Sequence, residues 1–395
     1  MEAILTLNSG SSSIKFAAYT KSKSVVCRIF SGMVDRITSE PYLRIKNAFD
    51  QVVFEQNLNI DLNKDDPYQS AIHTILNELH KNDIQIIAAG HRMIHGGMRY
   101  RSATIVTDEV ISVCESLIPL APLHQPYNLK GVKILHEKFP QILQVLCFDT
   151  AFHTTCNAMS QLFAIPKWLH DDGVRRYGFH GLSYEYIVSQ FDKYLATKKR
   201  DKNIIILHLG QGASMCGVKN RKSFTTSLGF SALDGLMMGT RTGSFDPGAM
   251  LFLMQHYKMD HKQLERLLYK ESGLLGVSGI SSDMRTLLTV EDEGATLAID
   301  LFVYRAAQWI GAIAAEMQGV DGLIFTAGIG ENAAAIREKI CNQVAWLGAK
   351  INQEKNAEHA ATIHARGSKL AIHVIPTNEE LTIAEHTLRL LIANP

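Results

Sequence analysis

Residues 6–16 read TLNSGSSSIKF, an apolar run broken by Asn8, Gly10 and several serines before Ile14, Lys15 and Phe16 resume it. Glycine lets backbone approach a ligand closely, serine hydroxyls and exposed N–H groups suit phosphate oxygens, and a lysine offsets one of their charges. The GxxxxGK[ST] spacing of a Walker loop is absent, so two readings stand: a plain hairpin turn, or a phosphate cradle of another kind. Residues 90–97, GHRMIHGG, set an arginine and two histidines on a strand-like run that ends in paired glycines. Strand alternation sends His91, Met93 and His95 to one face and Arg92 and Ile94 to the other. An arginine beside an apolar side chain suits a small ligand with a charged head and an apolar tail; a solvated arginine at a strand end is the alternative. His124 in APLHQP (121–126) and His180 in YGFHGLS (177–183) are fixed among Pro, Gly and aromatic residues, as structural or as site histidines. Asp149 in CFDTAFH (147–153) lies just past an apolar run, where open α/β sheets bind ligands. GTRTGSFDP (239–247) frames Arg241 with glycines. No acidic or thiolate residue neighbours His91 and His95, so packing or hydrogen bonding is expected of them rather than zinc.

These residues need elements to hold them. Short β-branched runs (AILTL, IKFAAY, IIAAGHRMI, LQVLCFD, IIILHL, LIFTAG and LAIHVI) read as strands. Residues 68–80, 127–138, 293–318, 333–346 and 378–392 carry apolar residues at helical spacing. Thr377 or Asn378 is the expected N-cap of the last helix, with Glu379 and Glu380 in its first turn. Such alternation predicts α/β layers around internal sheets. At 395 residues the chain is long for one core and comfortable for two, with a boundary near 150–160. Apolar residues at 46% and charged residues at 20% describe an ordinary soluble globular chain, and the formal net charge of +1 makes no case for nucleic acid or an anionic membrane. The cysteines at 27, 114, 147, 156, 216 and 341 form no CxxC pair, so reduced thiols in a cytoplasm are expected. MEAILTLN lacks the basic segment of a signal peptide, and no apolar run of about 18 residues, the length of a membrane span, is expected.

An internal repeat ties the segments together. Residues 204–218, IIILHLGQGASMCGV, repeat the layout of ILTLNSGSSSIKFAAY: apolar run, glycine turn with small residues, apolar run. A third glycine-rich turn, FTAGIGEN (325–332), ends one strand and opens a helix. Two similar halves could face each other across a cleft.

Taken in order, from LNSGSSSIK through GHRMIHGG, APLHQP, CFDTAFH, YGFHGLS, HLGQGAS and GTRTGSFDP to TNEEL at 377–381, the segments resemble the acetate kinase family of the acetate and sugar kinase/Hsp70/actin superfamily. The resemblance covers essentially the whole chain. It implies an α/β fold of two duplicated ribonuclease-H-like (actin-like ATPase) domains with a nucleotide cleft between them. The first would be 1–150 completed by the helix 381–395, the second 151–380. It implies reversible transfer of the ATP γ-phosphoryl group to acetate, giving acetyl phosphate and ADP by direct in-line transfer. Mg²⁺ (with Mn²⁺ as a substitute) is the implied cofactor, and a homodimer through the second domain the implied assembly; the apolar stretch 306–317 is a candidate contributor to it, or simply core. Ser11, Ser13 and Lys15 would contact ATP phosphates, as would His208, Leu209, Gly210, Gln211 and Gly212 in the second turn. The adenosine wall would be Asp283, Met284 and Arg285 with Gly328, Ile329, Gly330, Glu331 and Asn332. Arg92 and Arg241 would grip the carboxylate and the γ-phosphoryl group, with His180 on the transferring group and His124 in support. Asn8 and Glu379, together with Asp149, would serve the metal directly or through water. Ile94, Leu123, Phe179 and Ala232 would form the pocket for the acid's tail.

A carboxylate nucleophile is already ionised at neutral pH, its pKa being about 4–5 judged from Asp and Glu side chains. The reaction therefore needs no general base, only arginines and a cation to bring two anions together. Asp149 is thus read as a metal or orienting residue. Departures from the family's usual pattern are Gln211 in HLGQG, Gln125 in PLHQP, Tyr184 in GLSY and Met284 in DMR. Ile94 and Ala232 stand where valine and proline are usual, which leaves acetate against propionate or butyrate open. An ATP-driven conformational protein of the actin or Hsp70 kind, and a sugar kinase using Asp149 as base, are the rivals of other classes; the chain ending at Pro395 is expected to leave no room for an appended client domain.

Overall fold

The structure, a computed structural model, describes residues 1–22, 25–61, 64–194 and 202–394. The chain divides into two compact units, Met1–Ala151 with Asn378–Pro395, and Phe152–Thr377. Residues 151 and 378–380, assigned to the second domain from sequence, therefore belong with the first, which matters because Glu379 is among them.

The first unit is built on an eight-stranded sheet: β1 (Glu2–Ser9), β2 (Ile14–Ser22), β3 (Val25–Asp35), β4 (Tyr42–Asn47), β5 (Val52–Asn57), β6 (Gln85–Met93), β7 (Thr104–Ile105) and β8 (Leu143–Phe148), in the order β5-β4-β3-β2-β1-β6-β8-β7. β1 to β5 form an antiparallel meander, and β6 and β8 continue it in parallel. β1 is buried on both faces, which is why AILTL reads as a continuous apolar run. Leu5 and Leu7 join Tyr68, Ile72 and Ile75 of the Pro67–Lys81 helix and Leu135 of the Gln125–Lys138 helix. Ile4, with Ala17 and Tyr19 of β2 and Ala88 of β6, packs instead on Ala384 and Leu388 of the Glu379–Ala393 helix. Gly90 in β6 admits that helix: a Cβ there would fall 2.5 Å from the Ile383 methyl.

The second unit holds β9 (Ile204–Leu209), β10 (Ala213–Lys219), β11 (Lys222–Thr226), β12 (Gly322–Thr326) and β13 (Ala371–Val374), ordered β11-β10-β9-β12-β13. Three antiparallel strands followed by two parallel ones repeat the β3-β2-β1-β6-β8 arrangement of the first unit. The hairpin repeat seen in the sequence is therefore a repeat of whole sheets. Tyr184 and Ile187 of the Gly181–Ser189 helix pack on Ile204, Ile206 and Val218. The Glu293–Met317 helix is, by length and composition, apolar enough to cross a membrane, which corrects the expectation that no such run exists. Its Ala306, Ile310, Ile313 and Met317 are buried, and Ile313 and Met317 close on Gly217 of β10. Those side chains of the 306–317 stretch are core, so they cannot form the dimer contact considered for it.

Candidate active site

In the first unit the chemistry gathers on Arg92, near the end of β6. Its Nε and Nη2 donate to Asp149 Oδ2 at 3.0 and 2.7 Å, and its Nη1 lies 3.0 Å from Glu379 Oε2. Three separate elements meet here: β6, the residue just past β8, and the first turn of the last helix, whose N-cap Asn378 accepts from the Leu381 N–H at 3.0 Å. Burial opposes the Arg92 charge, but Asp149 and Glu379 outweigh it and hold the guanidinium above its ordinary range. Burial pushes the Asp149 carboxyl up to about 6, against the pull of Arg92 and with the push of Glu379, so it is still ionised at neutral pH. Asp149 is fully buried, and its Oδ1 has no hydrogen-bond partner in the described structure. An orphaned, buried carboxylate oxygen beside a second carboxylate is a hard oxygen donor set of the kind Mg²⁺ takes from proteins, one or two carboxylates with the remaining positions left to water and phosphate.

The loop that follows Arg92 is held by residues the sequence reading did not assign. Gln125 is fully buried; its Oε1 accepts from the His95 N–H and its Nε2 donates to the His95 and Cys114 carbonyls. Asn128 accepts from the Ile94 N–H and donates to the Ser9 carbonyl, joining the 90–97 strand end to the opening hairpin. APLHQP contributes Gln125 as well as its histidine: Gln125 opens the Gln125–Lys138 helix and bonds the strand end. Ile94 is buried, and Leu123 and His124 are half-buried at the start of the Gln125–Lys138 helix. The opening stretch is a hairpin: Asn8 pairs with Lys15 across β1 and β2, and the Gly10 N–H donates to the Ser13 carbonyl. Ser11 and Lys15 are exposed and Ser13 is half-buried.

In the second unit the corresponding hairpin joins β9 to β10, with Gly210 N–H donating to the Gly212 carbonyl. His180 sits over it, its Nε2 3.3 Å from where a Gly212 Cβ would be. The His180 backbone is left-handed at φ 59°, its Nδ1 is 2.8 Å from Ser214 Oγ, and its ring stacks on His208 with centroids 4.2 Å apart. Tyr184 Oη shares Ser214 Oγ at 2.5 Å, so Tyr184, one of the departures from the usual pattern, joins the same network. His208 is buried, with Nδ1 2.9 Å from Ser183 Oγ. Arg241 donates to the Ala232 carbonyl at 3.0 Å, which ties it to the segment expected to wall the pocket; burial lowers its pKa. Phe179 is buried and Ala232 half-buried.

A cavity of about 300 Å³ in this unit is lined by Gly210, Gln211, Asp283, Met284, Arg285, Gly328, Ile329 and Asn332, eight of the residues expected to hold ATP. Ser282, Leu288 and Ala333 complete it and were not foreseen. Met284 is buried at its wall, and the Gln211 side chain lies against Gly239. Leu209 is fully buried in β9 and Gly330 is buried in the Ala327–Asn332 helix; neither lines the cavity. Glu331 does not line it either. Its carboxylate accepts from the Ala327 and Thr377 N–H groups, so it clamps the strand–helix turn. Arg337, fully buried, donates to the Gly330 and Glu331 carbonyls from the other side. A larger hollow of about 460 Å³ in the first unit is lined by Lys15, Met33, Tyr42, Lys46 and Glu380, with Arg28 and Arg44 already paired to Asp50 and Glu55. Of the residues expected to meet ATP, Lys15 alone lines it.

The profile described as the acetokinase family matches residues 3–385. The acetate kinase of Rickettsia typhi is 43% identical over 392 residues, covering 99% of this chain and 100% of that one. Among solved structures, a propionate kinase from Francisella tularensis superposes with a TM-score of 0.91 at 34% identity, covering 98% of this chain and 100% of the other. The Porphyromonas gingivalis acetate kinase gives 0.87 at 37% identity, covering 99% and 100%. The two-sheet α/β architecture is that of a two-domain actin-like ATPase. With its site segments in order along the whole length, the chain belongs to the acetokinase family.

Proposed function

We propose that this protein is a carboxylate kinase that transfers the ATP γ-phosphoryl group reversibly to acetate, with propionate as the alternative acceptor. The observation that carries the reading is Arg92, held between Asp149 and Glu379. An arginine so fixed steadies anions but abstracts no proton, which suits an acceptor that arrives already ionised. A carboxylate oxygen attacks Pγ in line, the bond from Pγ to the β–γ bridging oxygen breaks, and ADP leaves; no proton moves.

Arg92 and Arg241 grip the carboxylate and the phosphoryl oxygens. His180, with His124 in support, donates to the transferring group. Ser11, Ser13 and Lys15 and the Gly210–Gly212 turn take the phosphates, while the cavity around Met284 takes adenosine. Leu209 and Gly330 can reach nucleotide only through backbone. Asn8, Asp149 and Glu379 would hold Mg²⁺, which would offset the charge of the phosphate groups. The tail of the acid meets Ile94, Leu123, Phe179 and Ala232. The francisella structure, itself a propionate kinase, is the observation that keeps the second acceptor in view. A cytoplasmic homodimer is the assembly the family reading favours. Leu251 and Phe252 of the Pro247–His256 helix, 57% and 53% exposed, are candidate contact residues.

The test is ADP release from ATP and Mg²⁺ with and without added acetate or propionate. Release that rises with the acid supports the proposal; release independent of it favours an ATPase.

A further inference from the structure

His153 closes the motif that contains Asp149, yet the reading above gives it no role. It is 2% exposed. Its Nε2 is 2.9 Å from the Phe179 carbonyl and its Nδ1 is 2.8 Å from Ser223 Oγ. A carbonyl only accepts, so Nε2 carries the proton, and Nδ1 must accept from the Ser223 hydroxyl. Ser223 Oγ in turn lies 3.1 Å from Cys156 Sγ and 3.3 Å from Cys216 Sγ, two thiols able to donate to its lone pairs. The tautomer is therefore set by a filled shell of partners. Burial holds this imidazole at about 4, so it stays neutral through the physiological range.

The ring also packs where a side chain would otherwise be. Gly178 has φ +79°, and a Cβ there would sit 2.7 Å from the His153 ring and from Thr226. Edge-on, His153 meets Tyr184 with centroids 5.5 Å apart. Tyr184 holds Ser214, and Ser214 holds His180 Nδ1. His153 thus reaches His180 by two routes, through the backbone of Gly178–Phe179 and through the Tyr184–Ser214 pair.

We infer that His153 is a positioning residue for the proposed transfer: its hydrogen bond to the Phe179 carbonyl fixes the turn that presents the Phe179 ring to the acid's tail and the left-handed His180 to the phosphoryl group. The inference rests on the carboxylate-kinase reading for what is being positioned, and on the hydrogen bonds and ring contact of His153 for how. Losing the donor lets the turn relax, and a displacement of about 1 Å at reacting groups costs on the order of 100-fold in rate.

The experiment compares wild type, His153→Phe, His153→Gln and Ser223→Ala by acyl-phosphate formation from ATP and acetate, with thermal melting recorded for each. His153→Phe keeps a ring and removes the donor; kcat should fall about 10- to 100-fold and KM for the acid should rise, with KM for ATP unchanged. His153→Gln offers an amide N–H near the Nε2 position and should recover most of the loss. In wild-type protein, ¹⁵N shifts of the imidazole should show Nε2 protonated and Nδ1 bare, without titration between pH 5 and 8. That last readout needs no variant to fold. Equal kcat across the folded variants, an equal loss in His153→Gln and His153→Phe, or a proton on Nδ1 would each overturn the positioning role. Wild type that makes no acyl phosphate while showing the expected tautomer would instead overturn the activity reading.

Discussion

Arg92 is useful to a phosphoryl transfer because it is not free to move. Asp149 and Glu379 hold it from two sides, and in the proposed transfer its charge would steady the equatorial oxygens of the moving group. Arg92→Ala or Arg241→Ala should lower kcat by about 10³-fold or more, as removal of arginines does in other phosphoryl transferases. Steady-state kinetics with melting recorded alongside separates lost rate from lost fold, and turnover equal to wild type would remove the residue from its role. Specificity is a separate matter. Ala232 supplies the carbonyl that Arg241 grips, so Ala232→Pro keeps that acceptor while filling space at the pocket wall. The ratio of kcat/KM for acetate over propionate should rise; an unchanged ratio would place residue 232 outside the pocket. Most of these residues were legible because glycine, arginine and histidine in short polar turns stand out against apolar runs. Gln125, Asn128 and His153 were not: each does its work by bonding backbone far away in sequence, and spacing carries no trace of that.

The elements that place Arg92 and Glu379 meet at a glycine. Gly90 of β6 lets the Glu379–Ala393 helix approach, and an added methyl would overlap Thr387 Oγ1 and the Ile383 methyl. Gly90→Ala should cost about 1–3 kcal/mol, the usual penalty of overpacking, and kcat should fall because β6 and the helix carry the two partners of one ion pair. Urea unfolding reads the first and kinetics the second. Thr387→Ala in the same background should recover part of the loss, and an unchanged midpoint for the single variant would show that the helix yields freely. The strands buried on both faces were legible as apolar runs, and all five helices foreseen are present to within a few residues. β3, β4, β5, β7 and β11 were missed. β5 is an edge strand that leaves Val52 and Val53 half exposed, and β4 alternates buried Leu43 and Ile45 with Arg44 and Lys46, a pattern too short to weigh against its charges. The Pro247–His256 helix escaped for the opposite reason: none of its residues is buried, so its apolar residues mark no inward face.

Across the whole chain the sheet of one unit repeats in the other, so a repeat visible in two hairpins stood for two complete five-strand arrangements. The buried titratable groups set a pH dependence. His91, His95 and His153 are each lowered by burial from 6.5 to about 4, so between those values the unfolded chain binds protons that the folded chain refuses. Stability should therefore be full above pH 6.5 and fall as pH drops toward 4. Asp149, raised from 3.8 to about 6, works the other way over most of that window, one group against three. Urea midpoints at pH 7.5, 6 and 5 check the sign, and a midpoint that rises on acidification would refute it. The central claim concerns the acceptor, and hydroxylamine tests it most directly because it traps acyl phosphates as hydroxamates. Purified protein with ATP, Mg²⁺ and hydroxylamine, offered acetate, propionate, butyrate or glycerol in turn, should give hydroxamate with acetate or propionate and none with glycerol. ADP released without hydroxamate would contradict a carboxylate kinase and return the chain to the ATPases and sugar kinases of its superfamily.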